Sequence, residues 1–291
     1  MRIQKQNVLN GVNHIVDFNS LYEFYKYITT TETNKAWSNA ERLLKEKYGE
    51  NEFIKQLTPL YSQRIANNDW YGTKTYEEAI ELFKNGIPDE SAKLTKLLKA
   101  EQKMQPVQIM KKVNNIQGFQ PIVPLYLMGI PNNMVGMQMK PVKQKVVNLY
   151  TNVSYRSYVS QNAIRNECIK KFRLISKLES QNYRVNLFIL FNTRTKNNKM
   201  RFISTIKVKG ADERLNISKL AFPLVHPSME RRLLFRLLEV YPESDKDLVR
   251  DYGVAVPNSI LSSVYNNGYI LPEFIKKDVE QIKSLDELKY L

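Results

Sequence analysis

A strand-helix-strand pattern within residues 145–208 constrains the fold of this chain more than any other feature. Residues 146–150 and 183–192 are short apolar runs typical of buried strands. Between them, Ile164, Cys168 and Phe172 recur at the spacing of one helix face. Two strands joined by a helix in fewer than fifty residues predict a right-handed parallel crossover. Since residues 200–208 predict a third strand, we expect an α/β fold with a small doubly wound sheet.

Helices dominate the prediction for residues 1–104. The best start signal is the pair Thr75 and Glu78, which has capping-box spacing, with Gly86 ending that helix. Residues 143–291 are expected to form the α/β domain. The chain is therefore divided into a helical N-terminal region, a connector and a C-terminal sheet.

The connector, residues 105–142, carries five prolines and three glycines, which exclude a long helix. Its apolar residues predict an ordered segment that packs on something. Methionine commonly fills irregular gaps in a core, although it also suits adaptable binding surfaces. We favour the core interpretation for its four later methionines, Met128, Met134, Met137 and Met139.

Charge is concentrated in one segment. The 291 residues hold 44 Lys+Arg and 29 Asp+Glu, a formal net charge of +15. Residues 143–210 alone hold 15 basic residues against Glu167 and Glu179, a net of +13. Lys and Arg on one surface bind phosphates by releasing counterions, and exposed aromatic rings can stack on bases.

Four of these cations lie on the same face of the third predicted strand, because side chains alternate between the two faces of a strand. They are Lys199, Arg201, Lys207 and Lys209, and they would form a basic ribbon if that strand were half exposed. The alternative is a solvated face that protects an edge strand from pairing. We slightly favour a site for nucleic acid or another acidic partner, made of Arg156, Arg194, Lys196, Lys199, Arg201, Lys207 and Lys209.

Catalytic motifs are scarce. Residues 151–157 follow the first strand without a glycine, so neither dinucleotide-binding nor phosphate-binding loops are present. His226 and Ser228 lack an identifiable carboxylate partner, so His226 or Ser228 is expected to cap the following helix, and Cys168 is expected to be inert core. Asp212 and Glu213 are the only candidates for a two-metal site, which needs more carboxylates. We expect no catalytic residue and no cofactor.

The same loop has a shape related to an adhesion site. In von Willebrand factor A domains a buried strand ends in Asp-x-Ser-x-Ser, which holds Mg²⁺ or Mn²⁺. Here the positions are Asn152, Ser154 and Arg156, and only Ser154 matches. Mg²⁺ normally relies on a carboxylate. We therefore expect a degenerate loop of Asn152, Ser154 and Ser157 that binds no metal, with both serines capping the following helix.

Several blocks resemble an uncharacterised family of tailed-phage and prophage proteins from Gram-positive bacteria. Residues 70–79 (WYGTKTYEEA) are similar to its aromatic-x-Gly-Thr-x-Ser/Thr-aromatic-Glu-Glu-Ala motif. Its later blocks resemble residues 118–134 (GFQPIVPLYLMGIPNNM), 143–150 (KQKVVNLY) and 220–239 (LAFPLVHPSMERRLLFRLLE). The similarity spans about residues 18–275. It implies a phage origin and a von Willebrand factor A-like C-terminal half, and it supplies no catalytic residues.

These observations predict a non-enzymatic phage protein that binds a phage or host protein through an A-domain-like scaffold. DNA or RNA binding through residues 143–210 is the alternative, and metal-dependent hydrolysis is the least favoured. The chain opens without an apolar leader and has no segment long enough to span a bilayer, so we expect no membrane partner. One cysteine excludes internal disulfides. The expected location is the host cytoplasm or the virion, and the oligomeric state stays open.

Overall fold

A computed structural model gives the fold. It describes residues 1–8, 11–49, 55–56, 58–66, 70–99, 108–141, 145–155, 159–195, 199–244, 256, 258–276, 279–282 and 284–290. Within these residues the protein is a mixed α/β structure with a six-stranded sheet, a second three-stranded sheet and nine α-helices.

The six-stranded sheet has the order β1-β2-β8-β7-β6-β9. Its strands are β1 (Arg2–Val8), β2 (Gly11–Phe18), β6 (Lys145–Asn152), β7 (Tyr183–Arg194), β8 (Met200–Lys209) and β9 (Tyr269–Leu271). β6 runs parallel to both β7 and β9, and β2 runs parallel to β8. The β1–β2 and β7–β8 pairs are antiparallel. The sheet is therefore mixed.

The predicted parallel pairing of two strands joined by a helix is confirmed. Helix α6 (Gln161–Ser180) joins the parallel strands β6 and β7, and it buries Ile164, Cys168 and Phe172 as expected. The third predicted strand is also present as β8. It follows β7 through a hairpin, so the two strands are antiparallel.

The other helices begin and end as sequence signals indicate in several places. Their bounds are α1 (Leu21–Thr30), α2 (Lys35–Tyr48), α3 (Tyr76–Asn85), α4 (Pro88–Lys99), α5 (Val123–Leu127), α7 (Ile217–Val225), α8 (Phe235–Val240) and α9 (Asn258–Val264). Thr75 Oγ1 accepts a hydrogen bond from Glu78 N at 3.2 Å, which confirms the predicted cap of α3. A π-helical segment, Met229–Leu234, leads directly into α8.

The N-terminal region contributes more than helices. Strands β1 and β2 were not predicted, and β2 pairs with β8 from Val12↔Met200 to Phe18↔Ile206. Six of the seven residues of β1 are exposed, so its sequence lacks the apolar alternation that reveals a half-buried strand. The three-part division of the chain stays a prediction, although its first and third parts share one sheet.

One large core occupies one face of the sheet. It joins Phe24, Trp37 and Ala79 of the N-terminal helices to Leu187 of β7 and Phe222 of α7. A smaller cluster on the opposite face includes Tyr150, Ile203 and Leu261. The sheet is thus packed on both faces, so that neighbouring residues of one strand, such as Leu190 and Phe191 of β7, belong to opposite clusters.

Residues 108–141 form a separate three-stranded sheet, which we call the arm. It consists of β3 (Gln108–Asn115), β4 (Gln120–Pro121), the short helix α5 and β5 (Met134–Pro141), in the order β3-β5-β4. Extensive contacts link these elements only to one another among the residues described. The core prediction for Met128 and Met137 is wrong, because 64% and 50% of their surface is exposed.

The sequence also predicts a closing helix over residues 274–282, but residues 274–276 are not helical and a 3₁₀ turn spans Val279–Gln281. It predicts a strand at residues 254–256, of which only residue 256 is described. Within the residues described, no helix is both long and apolar enough to cross a membrane.

Candidate functional site

Polar side chains gather at the carboxyl edge of the sheet. Since β6, β7 and β9 run parallel, their carboxyl ends share one edge, which is where open α/β sheets bind ligands. Asn152 ends β6 and is followed by Ser154, Asn192 lies near the end of β7, and Glu273 follows β9. The degenerate adhesion loop predicted from the sequence lies at this carboxyl edge of the sheet.

The loop bonds to itself and to the neighbouring strand. Asn152 Oδ1 accepts hydrogen bonds from Ser154 N at 3.0 Å and from Asn192 Nδ2 at 3.2 Å. Ser154 Oγ donates to Asn192 O at 3.2 Å and accepts from Asn192 N at 3.1 Å. Asn192 Oδ1 in turn accepts from Val256 N at 2.7 Å. All three polar side chains are buried, so their hydrogen-bonding groups are used within the chain.

The expected capping role of Ser154 is wrong. Ser160 caps α6, with its Oγ accepting from Ala163 N at 3.3 Å, while Ser154 is held against β7. Ser157, the other expected cap, lies outside the described residues, as does Arg156.

A buried ammonium group lies beside this loop. Lys171 of α6 has 1% of its surface exposed, and its Nζ donates to Asn152 O at 3.3 Å and to the Tyr155 hydroxyl at 3.4 Å. Burial lowers the pKa of Lys171 to about 8, against an opposing effect of the Glu167 carboxylate. Glu167 accepts from Ile275 N at 2.6 Å, which ties α6 to the segment after β9.

Glu230 is a second buried ionisable group near the loop. It lies in the π-helical segment, and burial raises its pKa to about 8, while the charge of Arg231 and the Tyr155 backbone N–H favour the ionised form. The carboxyl edge is thus occupied by the chain's own amide, ammonium and carboxyl groups.

These residues do not fit a divalent metal ion. The Asn152 amide oxygen already accepts two hydrogen bonds, and its Nδ2 points toward Glu273 Oε1 at 3.4 Å. Lys171 places a positive charge beside the same loop. Over the part of the chain that the structure describes, no group of three or more His, Cys, Asp or Glu side chains is placed to hold a metal. Glu213, one of the two residues considered for a two-metal site, accepts hydrogen bonds from Gly210 N and Lys219 Nζ, both at 3.2 Å.

The predicted basic ribbon does not form a surface. β8 lies between β2 and β7, so it is neither half exposed nor an edge strand. Arg201 is buried and donates to Asn13 Oδ1 at 3.4 Å. Lys209 is buried too, and its Nζ lies 2.7 Å from Glu179 Oε1 and donates to Val185 O at 3.0 Å.

The other predicted cations are dispersed. Lys199 is exposed, whereas Arg194 and Lys207 are half-buried. Arg156 and Lys196 lie outside the described residues. A binding role for these side chains stays a prediction, but the structure does not gather the described ones into a single stripe.

His226 and Ser228 are structural rather than catalytic in their contacts. Ser228 Oγ donates to Tyr71 O at 2.7 Å, and His226 Nδ1 accepts from Ser228 N at 3.3 Å. Burial lowers the pKa of His226 to about 4, so the ring is neutral at pH 7. The expected capping role is confirmed for His226, which precedes the helical turn that begins at Pro227 and accepts the Ser228 backbone N–H, whereas Ser228 makes no side-chain cap bond. Burial raises the pKa of Cys168 to about 12, as suits an inert core thiol.

Two of the four blocks that carry the family resemblance, residues 70–79 and 220–239, contact each other. Gly72 has a φ of +75°, and a Cβ built there would lie 3.0 Å from His226 Cε1 and 3.1 Å from Ser228 Oγ. Only glycine adopts that backbone conformation at so close an approach without strain. The WYGTKTYEEA block and the HPSMERR part of the later block therefore form one packing unit.

Arg232 completes this unit. Its side chain is fully buried, and its guanidinium donates to the carbonyl oxygens of Ser62, Arg64, Thr73 and Lys74. One arginine thus links residues 62–64 and residues 73–74 to the π-helical segment.

The arm carries the feature that sequence reasoning missed. We define the apolar tip as its six most exposed large apolar side chains, Ile116, Phe119, Val123, Tyr126, Leu127 and Met128. Leu127 is 77% exposed and Tyr126 is 67% exposed. A usable signal was the complete absence of charged residues from 113 to 139. Apolar patches of this kind mark contact surfaces in otherwise water-exposed proteins.

The sheet, its filled carboxyl edge and its exposed arm define a mixed α/β protein in which no group of three or more metal-ligating side chains occurs among the residues described. A family model described as Domain of unknown function (DUF7192) matches residues 4–290. Because that match covers nearly the whole chain, the protein belongs to this family. No curated protein and no solved structure matches it.

Proposed function

We propose that this chain is a non-enzymatic, phage-encoded binding protein that holds a phage or host component through its arm. Its scaffold is a von Willebrand factor A-like sheet without a working metal site. It acts in the host cytoplasm or on the virion. Support for the scaffold comes from the parallel strand β6, whose carboxyl end carries the degenerate loop. Support for the lack of a working metal site comes from the Lys171 ammonium beside that loop.

The exposed apolar tip is the observation that carries this proposal. Folding normally removes large apolar side chains from water, and each one left exposed forgoes that stabilisation. In the arm, neighbouring side chains such as Tyr126 and Leu127 stay exposed although the main core is well packed. A contact surface explains their exposure, because a partner would bury them.

Site-specific photo-crosslinking tests the proposal. A photoreactive amino acid replaces Leu127 in one variant and Tyr22 in the control, since Tyr22 is 72% exposed on α1, outside the arm. We expect crosslinked adducts, with protein or lipid, from position 127 in bacterial cells that produce the protein. Equal yields from both positions would show that the arm is an ordinary surface.

Nucleic-acid binding through residues 143–210 is the second candidate. The two acidic residues of that segment are used internally, Glu167 by Ile275 N and Lys170, and Glu179 by Lys209. This candidate therefore rests on dispersed exposed cations such as Lys145 and Lys199, which these two carboxylates do not neutralise. Affinity for random single- and double-stranded DNA should then fall steeply between about 50 and 200 mM salt. Weak binding that hardly responds to salt argues against this candidate.

A further inference from the structure

The tip of the arm is uncharged on all sides. Residues 113–139 contain no Asp, Glu, Lys or Arg. With about 100° per residue, Val123, Tyr126 and Leu127 span about 100° of α5, and Met128, the residue after the helix, is exposed as well. Ile116 and Phe119, which precede the helix, are also exposed, so the apolar tip is not confined to one helix face.

The stem of the arm is purely basic. Lys111 and Lys112 on β3 are exposed, and they lie across from Gln138 and Met137 on β5. Lys140 lies opposite Ile109 at the same end of the ribbon. No acidic residue occurs between Glu101 and Glu167. The charge of the stem is thus complementary to a negatively charged partner.

The spacing of these parts matches the interfacial zone of a bilayer. Lys112 lies three residues before Asn115, the end of β3, which is about 10 Å along the strand, and Ile116 of the tip follows directly. Interfacial segments bury their apolar side chains roughly 5–10 Å into the boundary between head groups and acyl chains. Lysines at that distance from the tip would lie at the level of the lipid phosphates, where anionic lipids attract them.

The tip is already ordered before it meets a partner. A Cβ at Gly118 would lie 2.2 Å from Val135 O, so glycine permits the close crossing that closes the loop. Phe119 N donates to Val135 O at 2.9 Å, and Ile122 N donates to Asn133 O at 2.6 Å. A preformed loop loses little conformational entropy on binding.

Two other occupants fit these observations less well. A second copy of the chain would bring the lysines of two stems together, and like charges oppose that pairing. A protein pocket would need both a deep apolar cavity and an acidic rim, whereas an anionic bilayer offers both properties at any point of its surface.

We infer that the arm binds the surface of an anionic lipid bilayer, with its apolar tip inserted among the head groups and its lysines against the lipid phosphates. This inference rests on the proposed function in one respect, that the arm is the contact surface. The expectation of no membrane partner came from the lack of a spanning segment. An interfacial contact needs no such segment.

Flotation of the full-length protein with vesicles tests the inference. We expect binding to vesicles of phosphatidylcholine with about one third phosphatidylglycerol, and at least tenfold weaker binding to phosphatidylcholine alone. The double variant Tyr126→Ser/Leu127→Ser should lose at least tenfold in partition coefficient. Tyr22→Ser, an equally exposed site on α1, should leave binding unchanged. All these side chains are exposed, so the variants should keep the wild-type melting temperature.

Insertion is measured separately from attraction. Cys168, the one cysteine of the chain, is buried, so Leu127→Cys allows selective labelling with an environment-sensitive fluorophore. We expect a blue shift with anionic vesicles at position 127 and none for Tyr22→Cys. Binding without a blue shift at position 127 would overturn insertion, and no binding to anionic vesicles would overturn the inference as a whole. If vesicles do not bind but position 127 still crosslinks to a protein in cells, the inference fails and the proposed function stands.

Discussion

Replacing Gly72 by alanine tests how the blocks of residues 70–79 and 220–239 are held together. An L-residue at a φ of +75° costs about 1–2 kcal/mol in backbone energy. The new methyl group would also lie 3.0 Å from His226 Cε1, 3.1 Å from Ser228 Oγ and 3.2 Å from Pro227 Cδ. Inserting a carbon into such a packed site costs about 1–3 kcal/mol more. We expect Gly72→Ala to lower the free energy of unfolding by about 2–5 kcal/mol.

Gly86→Ala is the matched control. Gly86 has a φ of +77°, almost that of Gly72, but the nearest atom to its added Cβ is Ser218 O at 3.7 Å, an ordinary contact. The control therefore carries the backbone cost without the packing cost. Equilibrium unfolding in urea, followed by circular dichroism, gives both free energies. If Gly72→Ala is no more destabilising than Gly86→Ala, the blocks are not locked together as described.

Three further predictions concern buried charges and metal. Burial raises the pKa of Glu230 from 4.5 to about 8, so between these pH values the folded state keeps a proton that the unfolded state releases. The free energy of unfolding should therefore fall as the pH rises from about 4.5 to 8. Glu230→Gln should flatten that part of the profile measured by urea unfolding, and an unchanged slope would contradict the assignment. Lys209→Met leaves Glu179 buried without its 2.7 Å partner, which should cost about 3–5 kcal/mol, and Lys209→Met/Glu179→Leu should recover most of it in the same assay. Millimolar Mg²⁺ or Mn²⁺ should leave the melting temperature unchanged, whereas a site with micromolar Kd would add about 4 kcal/mol.

Local signals predicted the elements whose cause is local. The sequence reveals the buried strands β6 and β7 as short apolar runs. It reveals helix α6 by apolar residues that recur at helical spacing on its buried face. The cap at Thr75 depends on residues only three apart. These features needed no knowledge of the rest of the chain.

The missed features depend on distant partners. The sequence correctly predicts that Lys207 and Lys209 lie on strand β8. It does not show that β8 is an internal strand, because that follows only from the pairing of β2 with β8. Lys209 tolerates burial because Glu179 at the end of α6 reaches it, which no spacing rule reveals. In the arm, apolar residues predicted packing, whereas the structure exposes them. Hydrophobicity alone does not say whether the partner is the chain itself or another surface.

The pairing of β2 with β8 also delays folding of the N-terminal strands while the chain is being synthesised. Val12 pairs with Met200, so 188 residues must leave the ribosome after the first strand of this pair before its partner exists. At ~5–20 residues per second the delay is about 10–40 s. Throughout that interval Val16 and Phe18, both buried in the finished fold, lack the strand that completes their surroundings.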